Sequence, residues 1–91
     1  MKIKTGIIGA SGLTGRELIR LLLAHKGTEL KRVTSRSAAG RPVSVLFPEF
    51  RGATGLRFER PGRSMYKGLD LVFICLPHAE SMEHAAKFVR E

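Results

Sequence analysis

Gly9, Gly12 and Gly15 stand in the run Ile7-Ile8-Gly9-Ala10-Ser11-Gly12-Leu13-Thr14-Gly15, where their type and spacing suit the holding of phosphate. Glycine permits a tight turn there, and the missing β-carbon lets backbone N–H groups approach a pyrophosphate. Ile3 to Ile8, ahead of the run, is short, apolar and β-branched. After it, Leu13, Leu18, Ile19, Leu21, Leu22 and Leu23 recur at helical spacing. The order is therefore strand, glycine turn, helix, and the helix start adds unused N–H donors and a partial positive charge. The spacing is G-x-x-G-x-x-G, looser than the more common G-x-G-x-x-G, and taken alone it reads equally as a plain turn. Thr14 and Glu17 form a T-x-x-E pattern that predicts a capping box at the helix start.

A second group lies further along. Where an acidic residue about 20 positions past the glycines would bind the ribose hydroxyls of NAD, the count from Gly15 arrives at Ser35-Arg36-Ser37. One guanidinium and two hydroxyls with no carboxylate suit a 2′-phosphate, as in NADP; the alternative is an ordinary polar strand end. Together the two motifs favour NADP. Leu76-Pro77-His78 closes a later apolar segment at the strand end where open α/β sheets take ligands. His78 there reads as a cofactor neighbour or as a neutral loop residue, with no partner to make it catalytic. His25 and His84 read as helix-surface residues. Cys75 is the chain's one cysteine and lies inside the apolar Leu69–Leu76 run. It reads as a buried strand residue without chemistry, since a nucleophile needs an exposed thiolate and a base. No residue is assigned as catalytic and none as a metal ligand.

These residues need a scaffold, and the rest of the chain sketches one. Thr14 to His25 reads as a helix with its leucines inward and Arg16, Glu17 and Arg20 outward, stopped by Gly27. Glu29–Thr34 reads as a second strand, parallel to the first through a right-handed crossover. From Ser37 to Gly68, closely spaced Gly and Pro predict long loops with brief strands, Leu56–Glu59 being a candidate edge strand. Leu69–Leu76 has the continuous apolarity of a strand buried on both faces and ended by Pro77. Met82, Ala85, Ala86 and Val89 fall at i, i+3, i+4 and i+7, which predicts a closing helix. The fold class is α/β, a Rossmann-like parallel sheet.

The chain has 91 residues, 43% hydrophobic and 26% charged, which allows one domain of modest core. No apolar run reaches the roughly 18 residues of a membrane span, and glycines interrupt any secretory signal. A cytoplasmic protein without membrane partners is expected. The net charge of +8 calls for an anionic partner. The basic residues are scattered, however, and do not interleave with aromatics, so nucleic acid is not the favoured one.

Three strings, GASGLTGRELIRLL from Gly9, VTSRSAAGRPVSVLFPEFRG from Val33 and DLVFICLPHAESM from Asp70, make up about half of the chain, and the match they belong to covers nearly all of it. They resemble the amino-terminal part of the N-acetyl-gamma-glutamyl-phosphate reductases of arginine biosynthesis and of their lysine-pathway relatives. The resemblance implies an NADPH-dependent oxidoreductase that reduces an acyl phosphate to an aldehyde through a cysteine thioester. Carried over by position, Ser11, Gly12, Leu13 and Thr14 would hold the pyrophosphate, with Gly9 and Gly15 counted in the cofactor site from the glycine run itself. Ser35, Arg36 and Ser37 would hold the 2′-phosphate, and Leu76, Pro77 and His78 would line the cleft. The family's nucleophilic cysteine sits in an N-P-G-C-like motif that is absent here, and Cys75 does not match it. On this reading residues 1–91 are an NADP-binding domain incomplete at its carboxyl end, without the domain that binds substrate and builds a homo-oligomer. The expected consequences are an inactive chain and an exposed strand edge that self-associates. The alternatives are a stand-alone nucleotide-binding regulatory module and the same domain of an aspartate-semialdehyde dehydrogenase.

Overall fold

The computed structural model describes residues 2–77 and 82–88. β1 (Ile3–Ile8) turns into α1 (Leu13–Ala24), which returns to β2 (Thr28–Thr34). Then come the single-turn α2 (Val43–Leu46), a 3₁₀ turn at Pro48–Phe50, β3 (Phe58–Glu59), a second 3₁₀ turn at Arg63–Tyr66, β4 (Leu71–Pro77) and β5 (Met82–Phe88). The strands form one sheet in the order β3-β2-β1-β4-β5. The first four run parallel, as the α/β reading requires. The chain is a Rossmann-like α/β domain.

The core on one face of the sheet explains the central elements. Ile7 of β1, Val33 of β2 and Cys75 of β4 are buried there with Ile19 and Leu22 of α1. On α1 the buried positions Gly15, Ile19 and Leu22 stand at i, i+4 and i+7, the line along which the helix rests on the sheet. Full burial of a side chain such as Ile19 is worth about 1.5–3 kcal/mol. The segment from residue 38 to 58 completes this core. Ala38, Val43, Phe47, Phe50 and Phe58 are buried, and Phe47 meets the rings of Phe50 and Phe58 edge to face at 6.0 and 6.2 Å. At the far end, Asp70 acts as an entry clasp for β4: its N–H donates to the Lys4 carbonyl at 2.7 Å, and its carboxylate accepts the Lys4 N–H at 2.9 Å.

Four expectations are corrected. The closing helix is instead β5, which pairs antiparallel with β4 from Leu71↔Phe88 to Pro77↔Met82. The helical spacing of its apolar residues gives way to the unpaired N–H and C=O groups that an open β4 edge presents. That edge is accordingly covered. The capping box does not form, because α1 starts one residue before Thr14 with Gly12 as its N-cap, and Glu17 turns to Arg20. Not all leucines of α1 face inward: Leu13 is 75% and Leu21 51% exposed, both being off the buried line. The region from Ser37 to Gly68 is built of short helical turns more than brief strands, since its glycines and prolines interrupt the ladder before one can extend. The edge strand expected there reduces to Phe58–Glu59, paired with Val33 and Thr34.

The tightest point is the end of β1. Gly9 has φ +79, and a β-carbon on it would lie 2.2 Å from the Cys75 carbonyl oxygen. Gly52 has nearly the same φ, +81, with nothing within 4 Å. Gly9→Ala therefore carries both left-handed strain and a backbone collision, and Gly52→Ala the strain alone. The expected losses are about 3–5 kcal/mol and about 1–2 kcal/mol, read from urea unfolding midpoints. Equal losses at the two sites would contradict the close approach at Gly9.

Candidate functional site

The carboxyl ends of β2, β1 and β4 lie side by side, with β1 between strands that follow it on opposite sides. Open α/β sheets form their ligand crevice at such a reversal. The glycine run leaves β1 at this place. Its first turn is tied to β2: the Gly9 N–H donates to the Thr34 hydroxyl at 3.2 Å, and the Ala10 N–H to the Thr34 carbonyl at 2.8 Å. Gly12, extended at φ −89 and ψ −177, begins α1. Its carbonyl accepts the Arg16 N–H at 2.9 Å, so the N–H groups of the first turn precede the helix's own ladder. Gly15 has a packing role, since a β-carbon there would lie 2.4 Å from the Ala10 carbonyl oxygen.

The residues after β2 meet the glycine run. Ser35 is 2% exposed, and its hydroxyl donates to the Ser11 hydroxyl at 2.8 Å. The same oxygen accepts the Ala38 N–H at 3.0 Å and lies 3.4 Å from the Ser37 hydroxyl. The two motifs, 24 residues apart in the chain, are thus in direct contact. Ser37 and Arg36 are exposed, and Arg36 makes no ion pair among the described residues. Leu76 and Pro77 end β4, beyond the Ile8↔Ile74 pair, and so reach the crevice by their backbone. His78 lies outside the described residues. Cys75 is 2% exposed, and burial pushes its thiol up, away from thiolate character.

Three contributors carried no clear signal in the chain. Thr34 serves the glycine run with both its hydroxyl and its carbonyl, and only its place just before Ser35 hinted at that. Arg16, on the first turn of α1, pairs with Glu49 and stands 5.3 Å over the Phe47 ring. This fastens the start of α1 to the segment after β2, a contact no local pattern announces. An apolar depression on α1 is lined by Leu13, Thr14, Glu17, Leu18 and Leu21. No helix among the described residues is long and apolar enough to cross a membrane.

A family model described as semialdehyde dehydrogenase, NAD binding domain, matches residues 4–91. The chain belongs to this family. It is 44% identical over 90 residues to an N-acetyl-gamma-glutamyl-phosphate reductase of Neisseria meningitidis serogroup C / serotype 2a, covering 99% of this chain and 26% of the relative. Reductases of the same name from Polynucleobacter asymbioticus and Acinetobacter baumannii strain AYE are 42% and 41% identical over 87 residues, 96% of this chain and 25% of each relative. The chain spans about a quarter of the length of the curated relatives it matches. A nucleotide-binding fold of the semialdehyde dehydrogenase family thus coincides with the crevice built by β1, β2 and β4.

The Arg16 guanidinium, by its hydrogen bond, holds the Glu49 carboxyl below its usual range, as Arg20 does for Glu17. A carboxyl lowered in the folded state contributes stability above its unfolded pKa and loses it as pH falls through the folded one. Both pairs are exposed, so the contribution at neutral pH is small. Thermal midpoints measured from pH 7 down to pH 3 are expected to fall less steeply for Glu49→Gln than for the parent chain. Identical slopes would show that the Arg16–Glu49 pair does not form in solution.

Proposed function

We propose that this chain is the NADPH-binding portion of an N-acetyl-gamma-glutamyl-phosphate reductase, in which an acyl phosphate is reduced to the semialdehyde of arginine biosynthesis. The observation that carries the reading is the donor set after β2. Arg36 and Ser37 present an exposed guanidinium, in no ion pair among the described residues, and a hydroxyl with no carboxylate beside them, and Ser35 joins them to Ser11 of the glycine run. An adenosine 2′-phosphate needs such donors, whereas the free ribose hydroxyls of NAD are matched by an acidic residue. The named relatives supply the substrate class. The cytoplasm is the expected location and a homo-oligomer the expected assembly of the whole enzyme.

In this reading Gly9 and Gly15 let the glycine run close against Cys75 and Ala10, Gly12 opens α1, and Ser11, Leu13 and Thr14 stand at the start of α1 where a pyrophosphate meets backbone donors. Arg36 and Ser37 hold the 2′-phosphate. Leu76, Pro77 and His78 close the crevice at β4. The bound dinucleotide would supply hydride. The chain's own residues bind and orient, and none of those described offers a thiolate to carry an acyl group, because the sole cysteine is buried with its thiol pushed up.

Calorimetric titration with NADPH and NADH tests the reading. NADPH is expected to bind at least tenfold more tightly, and Arg36→Ala to lower NADPH affinity about tenfold while changing NADH less than twofold. Equal affinities for the two nucleotides would defeat the assignment of the 2′-phosphate site. The chain by itself is also expected to be inactive. Phosphate-dependent reduction of NADP by N-acetylglutamate semialdehyde, followed at 340 nm, should stay at the level of buffer, and turnover by the pure chain would overturn this expectation.

A further inference from the structure

We infer that Ser35 is a positioning residue that aims the Ser11 hydroxyl, and is not itself a phosphate ligand; the inference rests on the dinucleotide reading of this site. A serine hydroxyl has one proton to donate and two lone pairs. At Ser35 the proton goes to the Ser11 oxygen, 2.8 Å away, and one lone pair takes the Ala38 N–H at 3.0 Å. With that single proton committed, Ser35 can meet Ser37 only as an acceptor, across a long 3.4 Å contact that the exposed Ser37 hydroxyl can leave for a ligand. The Ser35 proton is therefore spent and the residue is 2% exposed, so it has no donor left for an anionic ligand.

The direction of the chain of hydrogen bonds is set at Ser35, whose one proton goes to the Ser11 oxygen. A backbone N–H can only donate, so Ala38 forces Ser35 to accept from it. Ser35 in turn donates to Ser11, and Ser11, already an acceptor, has its own proton to give elsewhere. The glycine run thereby presents a hydroxyl donor with its sense set from behind, which suits an anionic oxygen. Ser35 acts on the part of the ligand that Ser11 meets. That part is the pyrophosphate, common to NADPH and NADH, while discrimination between the two falls to Arg36 and Ser37.

A double-mutant cycle on the full chain tests this with Ser11→Ala, Ser35→Ala and the pair, titrated with NADPH and with NADH. Ser35→Ala is expected to weaken both nucleotides by the same factor, about three- to tenfold. In the Ser11→Ala background it should add less than twofold, because its route to the ligand is already gone. Amide exchange at Ala38 in the nucleotide-free chain should quicken in Ser35→Ala and stay unchanged in Ser11→Ala. If Ser35→Ala does not fold, Ser35→Cys, a weaker donor of similar size, takes its place in the cycle with the same expected coupling. Fully additive effects would reduce Ser35 to a general stabilising residue, and a loss confined to NADPH would make it a 2′-phosphate ligand. Either result overturns the inference and leaves the proposed function standing. Failure of the parent chain to bind either nucleotide would overturn both.

Discussion

The carbonyl oxygen of Cys75 stands where a β-carbon on Gly9 would have to go. β1 and β4 are paired up to Ile8 and Ile74, so the chain leaving β1 must turn within reach of the neighbouring backbone. A left-handed residue without a side chain is the available solution, and it directs the run toward β2 and not over β4. The rest of the crevice depends on that direction. Gly9 and Ala10 come within hydrogen-bonding distance of Thr34, α1 starts at Gly12, and Gly15 presses the first turn onto Ala10. Glycine at positions 9 and 15 is thus explained by packing alone, whereas Gly12, in an ordinary extended conformation, is not required by its backbone angles.

The end of β2 answers the glycine run residue by residue. Thr34 meets Gly9 and Ala10, and Ser35 meets Ser11. Ser35 is also bound into the sheet, its N–H donating to the Glu59 carbonyl at 3.0 Å next to β3. The two-residue β3 is short, yet it anchors the segment that carries Arg36 and Ser37. Arg36 is exposed and forms no ion pair among the described residues, whereas Arg16, Arg20 and Arg32 each face a carboxylate. What distinguishes it from the other cations without an ion pair is its place between Ser35 and Ser37 at the end of β2.

How much of this was legible in the chain depended on how local the cause was. The strand, glycine turn and helix were legible because apolar periodicity and glycine placement are local, and Leu71–Pro77 because few segments other than a doubly buried strand are so evenly apolar. The parallel order followed from the alternation of strand and helix. Met82–Phe88 was misread because its helical spacing is equally local, while the decisive influence, the unsatisfied edge of β4, is a property of the assembled sheet. The T-x-x-E pattern failed for a related reason: where the helix begins is set by Gly12 and the packing of Gly15, and a capping box with Thr14 as its cap, two residues past the actual N-cap, has no terminus to cap. The Ser11–Ser35 contact joined two motifs that had been read separately, and Arg16–Glu49 joined two segments with no motif at all. Contacts across 24 and 33 residues depend on where the sheet places each strand end, which composition and spacing do not encode.

Cys75 illustrates how this domain separates binding from bond-making. Its backbone carbonyl limits the glycine run from the β4 side, so this position, whatever its side chain, helps set the shape of the crevice. Its side chain, buried on the α1 face, is turned away from chemistry by the same placement. A strand cannot offer one residue both as a packed core position and as an exposed thiolate, because the burial that fixes the backbone also disfavours the charged sulfur. Under the proposed function, the acyl-carrying group must therefore come to the crevice from chain outside these strands. On this reading the edge formed by β2, β1 and β4 serves as the platform for the nucleotide, tied together by the contacts of Gly9 and Ala10 with Thr34 and of Ser11 with Ser35.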